Sequence, residues 1–170
     1  MVNVRLCFYT NGYQTWMWDD TFYPERRVSS FFSKSDLEWL IQKRTERKNT
    51  TEYKPNALIA GRIYQIEAIT RVAETYEKSH RHALLVMATG TGKTRTAIAF
   101  VDFLKRAGWA KNVLFLADRK ELVSQACGEF KKHLPSATTC NLIEDKDDPS
   151  ARIYFSTYQT MLGLLELDLQ

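Results

Sequence analysis

The amino-acid sequence predicts an α/β chain: a parallel sheet with flanking helices over residues 58–170, preceded by a small β-hairpin and helix in residues 1–57. Three observations lead there. Residues 83–87 (ALLVM) and 113–117 (VLFLA) are short, unbroken apolar runs, the mark of strands buried on both faces. Stretches of helical periodicity separate such runs, and strands alternating with helices imply parallel pairing through right-handed crossovers. The first 60 residues are composed differently: they hold Trp16, Trp18 and Trp39 of four tryptophans but only Gly12 of seven glycines.

Size and charge set outer bounds. At 170 residues and 19.8 kDa, the chain holds one domain, or one with an appendage, and not two full α/β domains. A content of 44% hydrophobic and 26% charged residues excludes a disordered or collagen-like chain. The net charge of +4 permits a nucleic-acid partner without arguing for one. Cys7, Cys127 and Cys140 are odd in number and far apart, so a disulfide framework or zinc site is not expected and a reducing cytoplasmic setting fits. There is no apolar run of about 18 residues, hence no expected membrane span, and the N-terminus does not read as a signal peptide.

The elements follow in chain order. Val2, Val4, Leu6 and Phe8 alternate with polar neighbours, the period of a half-buried strand. Asn11-Gly12 then predicts a two-residue hairpin with positive φ at both turn positions, returning through residues 13–18. Such a hairpin must pack on something else to be stable. Ser35-Asp36-Leu37-Glu38 reads as a capping box opening a helix with Leu37, Leu40, Ile41 and Arg44 on one face. The basic run that ends it suits the helix dipole, or a phosphate. Residues 49–58 read as a linker.

Beyond residue 61, Ile63, Ile66, Ile69 (or Ala73) and Tyr76 predict a helix over 62–78. Strand 83–87 comes next, then a helix over 94–106 with Ile98, Val101 and Leu104 (or Ala97) inward, stopped by Gly108. Strand 113–117, a helix over 119–133 ended by Pro135, strands at 140–143 and 153–156, and a helix from 157 complete the pattern.

The sharpest motif is Ala88-Thr89-Gly90-Thr91-Gly92-Lys93-Thr94, set between a predicted strand and a predicted helix. Gly90 and Gly92 let the backbone turn so that successive N–H groups face one anion. The helix that opens there adds the positive end of its dipole. Lys93 supplies a mobile charge for β- and γ-phosphates, and the Thr94 hydroxyl can ligate Mg²⁺. The strict pattern G-x-x-x-x-G-K-[ST] would have glycine where Met87 stands.

With its surroundings (ALLVMATGTGKTRTAIAFVDFLKRAGWAKNVLFLADRKELVSQA), the loop resembles the motor region of the restriction (R, endonuclease) subunit of type I restriction-modification enzymes, within superfamily 2 helicases. GRIYQIEAITRV resembles that group's Q-motif region, LADRKELVSQA its motif Ia, and NLIEDKDDPSARIYFSTYQTM the segment ending in motif Ib. FYTNGYQTWMWDD and PERRVSSFF resemble the stretch between nuclease and motor.

The resemblance implies a partial RecA-like lobe from residue 58 and a connecting region before it. It implies ATP and Mg²⁺ as cofactors, held by Gln65 (matching an adenine-reading glutamine), Thr89, Gly90, Thr91, Gly92, Lys93, Thr94 and Arg95. It places Arg119, Ser156 and Thr157 at DNA phosphates, although each also reads as a helix cap or surface pair. The implied partners are double-stranded DNA and the modification (methyltransferase) and specificity subunits. The implied activity of the intact subunit is ATP-driven DNA translocation with endonucleolytic cleavage at a distance.

No D-E-x-H tetrad occurs, and Glu166 and Asp168 lack its spacing and strand. Glu46-Arg47-Lys48 and Glu52-Tyr53-Lys54 spell the nuclease pattern E-x-K but fall on a helix end and a linker. The expectation is therefore a piece of a larger enzyme that binds ATP without turning it over. The alternatives are another superfamily 2 helicase or translocase (a type III restriction subunit or a repair helicase), a non-catalytic remnant of a restriction gene, and a small nucleotide kinase, which would leave the other motifs unexplained.

Overall fold

The computed structural model describes residues 6–19, 23–46, 48–145 and 148–167. It contains two three-stranded sheets. The first is antiparallel, in the order β1-β2-β3, from β1 (Leu6–Thr10), β2 (Thr15–Asp19) and β3 (Tyr23–Val28). The second is parallel, in the order β4-β6-β5, from β4 (Val113–Ala117), β5 (Thr139–Asn141) and β6 (Ile153–Thr157). The helices are α1 (Lys34–Glu46), α2 (Ala57–Ala60), α3 (Ile63–Glu77), α4 (Lys93–Arg106), α5 (Lys120–His133) and α6 (Tyr158–Leu167). Among the described residues, no helix is long and apolar enough to cross a membrane.

The hairpin differs from its expected turn. Its loop has four residues, 11–14, and among the described residues only Ser79 is a non-glycine with positive φ. Asn11 instead accepts hydrogen bonds through Oδ1 from the amides of Tyr13 and Gln14, an Asx turn that leaves its own backbone unstrained. Gly12 takes the one positive φ, +90°. The alternating residues before Leu6 lie outside the described residues. A third strand, β3, has no strand signature in its sequence: YPERRV is polar and contains proline, features an edge strand tolerates. Its partner β2 is central, and Met17 there is 1% exposed.

The cap of α1 sits two residues earlier than the sequence suggests. The Ser33 hydroxyl accepts from the Asp36 amide, and the Asp36 carboxylate accepts from the Ser33 amide, each at 3.2 Å. Asp36 thus plays the part expected of Glu38. Residues 49–58, expected as a linker, are strapped to the core: Lys48 donates to the Ala107 carbonyl, the Trp109 indole donates to that of Lys48, and Arg106 reaches that of Lys54.

The core lies between α3, α4, α5 and the parallel sheet. Ile69, Ile98, Val123, Phe130, Ile153 and Phe155 are fully buried in it. Phe115, Phe130 and Phe155 meet edge-to-face or tilted, with ring centres 5.1–5.8 Å apart. α4 ends in a Schellman motif: the Gly108 amide (φ +71°) donates to Lys105, and that of Trp109 to Leu104.

Two expectations of burial fail. Residues 83–87 belong to neither sheet, and Leu84 and Val86 are 87% and 89% exposed. Strand β4 is only half-buried, with Leu114 45% exposed, because it forms an edge of its sheet and pairs only with β6 among the described residues. An apolar run specifies a strand but not its neighbours, and within the described residues none stands beside 83–87. α3 also turns a different face inward: Gln65, Ile69, Val72 and Ala73 are buried, whereas Ile63 is 85% exposed.

Candidate nucleotide-binding site

The site is a turn between residues 87 and 93 that delivers the chain into α4. Gly90 and Gly92 adopt left-handed φ of +78° and +84°, which an L side chain would oppose. A Cβ on Gly90 would meet no atom within 4 Å, so that side of the loop is open. A Cβ on Gly92 would lie 2.6 Å from Gln65 Nε2, so this position needs glycine twice over. Three donors converge on the Ala88 carbonyl: the Thr91 hydroxyl at 2.7 Å, the Lys93 ammonium at 3.2 Å and the Thr91 amide at 3.4 Å. Lys93 therefore folds back across the loop mouth. The first amides of α4, which start at Lys93, have no intrahelical acceptors.

The loop is gripped from behind by the first turn of α3. Gln65, 2% exposed, donates from Nε2 to the Thr91 carbonyl at 3.0 Å and, longer, to that of Gly92 at 3.5 Å. Its Oε1 is buried and has no hydrogen-bond partner. The Tyr64 hydroxyl donates to the same Thr91 carbonyl at 2.9 Å, and Arg62 donates to that hydroxyl at 2.7 Å. Arg62 and Tyr64 were not legible as site residues: the sequence places them beside Gln65, but only the packing of α3 against α4 brings them to the loop.

Among the expected site residues, 89–94 and Gln65 come together. The Arg95 guanidinium does not join them in the structure. It donates to the carbonyls of Leu58 and Ile59, which the short helix α2 leaves without acceptable donors of its own. Arg119 caps α5 from an extended backbone, with its side chain 76% exposed and 3.8 Å from the exposed Asp118. Ser156 and Thr157, expected at a DNA phosphate, turn inward. Ser156 is fully buried, and the Thr157 hydroxyl accepts from the Thr160 amide at the start of α6. They sit at the carboxyl end of β6, where the Ser156 hydroxyl is buried without a hydrogen-bond partner.

Comparison with known proteins fits this geometry. The family profile described as "Type III restriction enzyme, res subunit" matches residues 58–169. The chain belongs to the restriction-enzyme res-subunit family. This res-subunit chain is 32% identical over 94% of its length to the type I restriction enzyme EcoKI endonuclease subunit of Escherichia coli strain K12, of which it spans 15%. It is 37% identical over 60% of its length to the EcoAI endonuclease subunit of Escherichia coli, spanning 12% of that protein. Its fold resembles the fragment structure of a putative HsdR subunit of a type I restriction enzyme from Vibrio vulnificus YJ016, with a TM-score of 0.52 and 25% identity, covering 95% of this chain and 30% of that one. The res-subunit chain thus spans less than a third of each of these relatives. The α/β class and the kinship with type I R subunits expected from sequence both hold.

Proposed function

We propose that this chain is the ATP-binding part of a type I restriction motor, and that it binds ATP·Mg²⁺ without turnover. The observation that carries the reading is the loop at residues 88–94. Two left-handed glycines, open space at Gly90, a lysine across the mouth and the unfilled amides of a helix fit a polyphosphate chain. The amides of 90–94 and the Lys93 ammonium would hold the phosphates, and Thr94 would ligate Mg²⁺. In bound form the metal would neutralise phosphate charge. Among the described residues, no cluster of three or more His, Cys, Asp or Glu could hold a metal, so the ion would depend on the nucleotide's own oxygens together with Thr94.

Gln65 as an adenine reader requires its carboxamide to turn away from Thr91, because its donor is engaged and its acceptor is covered. Arg95 leaves the proposed nucleotide set, since its guanidinium holds α2. Arg119 is the DNA contact we retain. Ser156 and Thr157 would act through the position of the β6 end rather than through their hydroxyls. For the intact protein, the reading extends to translocation and cleavage of double-stranded DNA beside modification and specificity subunits. The likeness to the EcoKI subunit spans 94% of the chain, more than the family profile matches, and favours a type I over a type III motor.

The test is isothermal titration with ATP and Mg²⁺ alongside phosphate release with double-stranded DNA. Binding lost in Lys93→Ala, with no release above background, is the expected result. Turnover abolished by Lys93→Ala would overturn the claim of binding without hydrolysis, and absence of any binding would overturn the reading of the loop.

A further inference from the structure

The Thr91 carbonyl accepts hydrogen bonds from two side chains of one helical turn, the Tyr64 hydroxyl and the Gln65 amide. A carbonyl oxygen has two lone pairs, so this acceptor is fully used. The consequence lies on the other side of the peptide. In a planar trans peptide, the N–H of Gly92 points opposite to the C=O of Thr91. Holding that oxygen against α3 therefore turns the Gly92 N–H away from α3.

Tyr64 is itself held. Arg62 donates to its hydroxyl oxygen at 2.7 Å, and the guanidinium carbon lies 5.9 Å from the ring centre. A hydroxyl that accepts from a cation becomes a stronger donor. Tyr64 is 42% exposed, so its side chain contributes little to the core.

We propose that Tyr64, backed by Arg62, is a positioning residue that fixes the Thr91–Gly92 peptide with its N–H presented to the triphosphate. This rests on the reading of the loop as a phosphate site. The role is independent of the base, because the peptide would address the phosphates alone.

The experiment titrates the full chain, in Mg²⁺, with ATP, GTP and inorganic tripolyphosphate. Tyr64→Phe should weaken all three by the same factor, about three- to tenfold for one lost hydrogen bond. Arg62→Met should weaken all three equally but less. The melting temperature should stay within about 2 °C of the unaltered chain, since the ring remains and only an exposed hydroxyl goes. The Gly92 amide resonance should shift in Tyr64→Phe without any ligand. Equal affinity in Tyr64→Phe and the unaltered chain would overturn the proposal while leaving the loop reading intact. A loss confined to ATP would also overturn it, by making Tyr64 a base contact. Failure of the unaltered chain to bind any of the three would overturn the loop reading, and this proposal with it.

Discussion

The amide nitrogen of Gln65 occupies the space that a Cβ on Gly92 would need, 2.6 Å from its ideal position. The two residues are 27 apart in sequence, and their contact ties the first turn of α3 to the entry of α4. It also separates the two glycines of the loop, which look alike in sequence.

Gly92→Ala should be the more damaging of the two substitutions. It meets left-handed strain of roughly 1–2 kcal/mol and must displace a buried side chain as well. Gly90→Ala meets the strain alone, because nothing lies within 4 Å of its Cβ. Titration with ATP should show the Gly92 variant losing more affinity than the Gly90 variant, and thermal melting should rank them the same way. Equal effects would contradict the Gln65 contact.

The aromatic cluster of Phe115, Phe130 and Phe155 should dominate stability. Phe155 is fully buried on the central strand β6, touching both other rings. Phe155→Ala should cost about 3–5 kcal/mol, from lost burial plus the cavity left behind. Urea unfolding should show a lower midpoint of that size. A loss below about 1 kcal/mol would mean that the cluster is not packed as described.

Stability should decline at alkaline pH through Cys127. Burial pushes its thiol above the ordinary value of 9.0, against a smaller lowering by Lys131 and the hydrogen bond with Thr139. Below that ordinary value, both folded and unfolded chains keep the proton and nothing is lost. As the pH rises past it, the unfolded chain ionises first, so the balance shifts toward unfolding until the folded thiol also titrates. Unfolding curves taken from pH 8 upward should show this fall, and Cys127→Ala should remove that part of it.

Leu84 and Val86, almost fully exposed in a segment that belongs to neither sheet, should promote self-association. Exposed apolar side chains together with the open edge of β4 offer both burial and backbone pairing to another copy. Sedimentation should show association that grows with concentration and falls in the Leu84→Ser/Val86→Ser variant. A monodisperse monomer at all concentrations would contradict this.

Much of the architecture was legible because it rests on local chemistry. The segments at 113–117 and 153–156 became parallel strands, Gly108 stopped α4, and the glycines and lysine of 88–94 formed a turn into a helix. The last two outcomes depend on residues within a few positions of one another, whereas the two strands also needed each other as partners, Val113 beside Ile153.

What sequence could not determine depends on neighbours that packing supplies. Residues 83–87 have the composition of a strand, yet a strand exists only where a partner completes its hydrogen bonds. Arg95 sits beside Lys93 and Thr94 in sequence, but its reach and its five donors took it to the carbonyls of α2. Ser156 and Thr157 stand at a strand end that could face solvent, yet both are buried, with the Thr157 hydroxyl taken up by the first turn of α6. Tyr64 is one of eight tyrosines, and its place behind the loop comes from the packing of α3 on α4. Sequence by itself determined the class of fold and the loop that marks the chain's chemistry, since both follow from periodicity and from what glycine and lysine can do. Tertiary structure alone decided which side chains hold that loop, because a hydrogen bond between residues 27 apart needs two helices already in place.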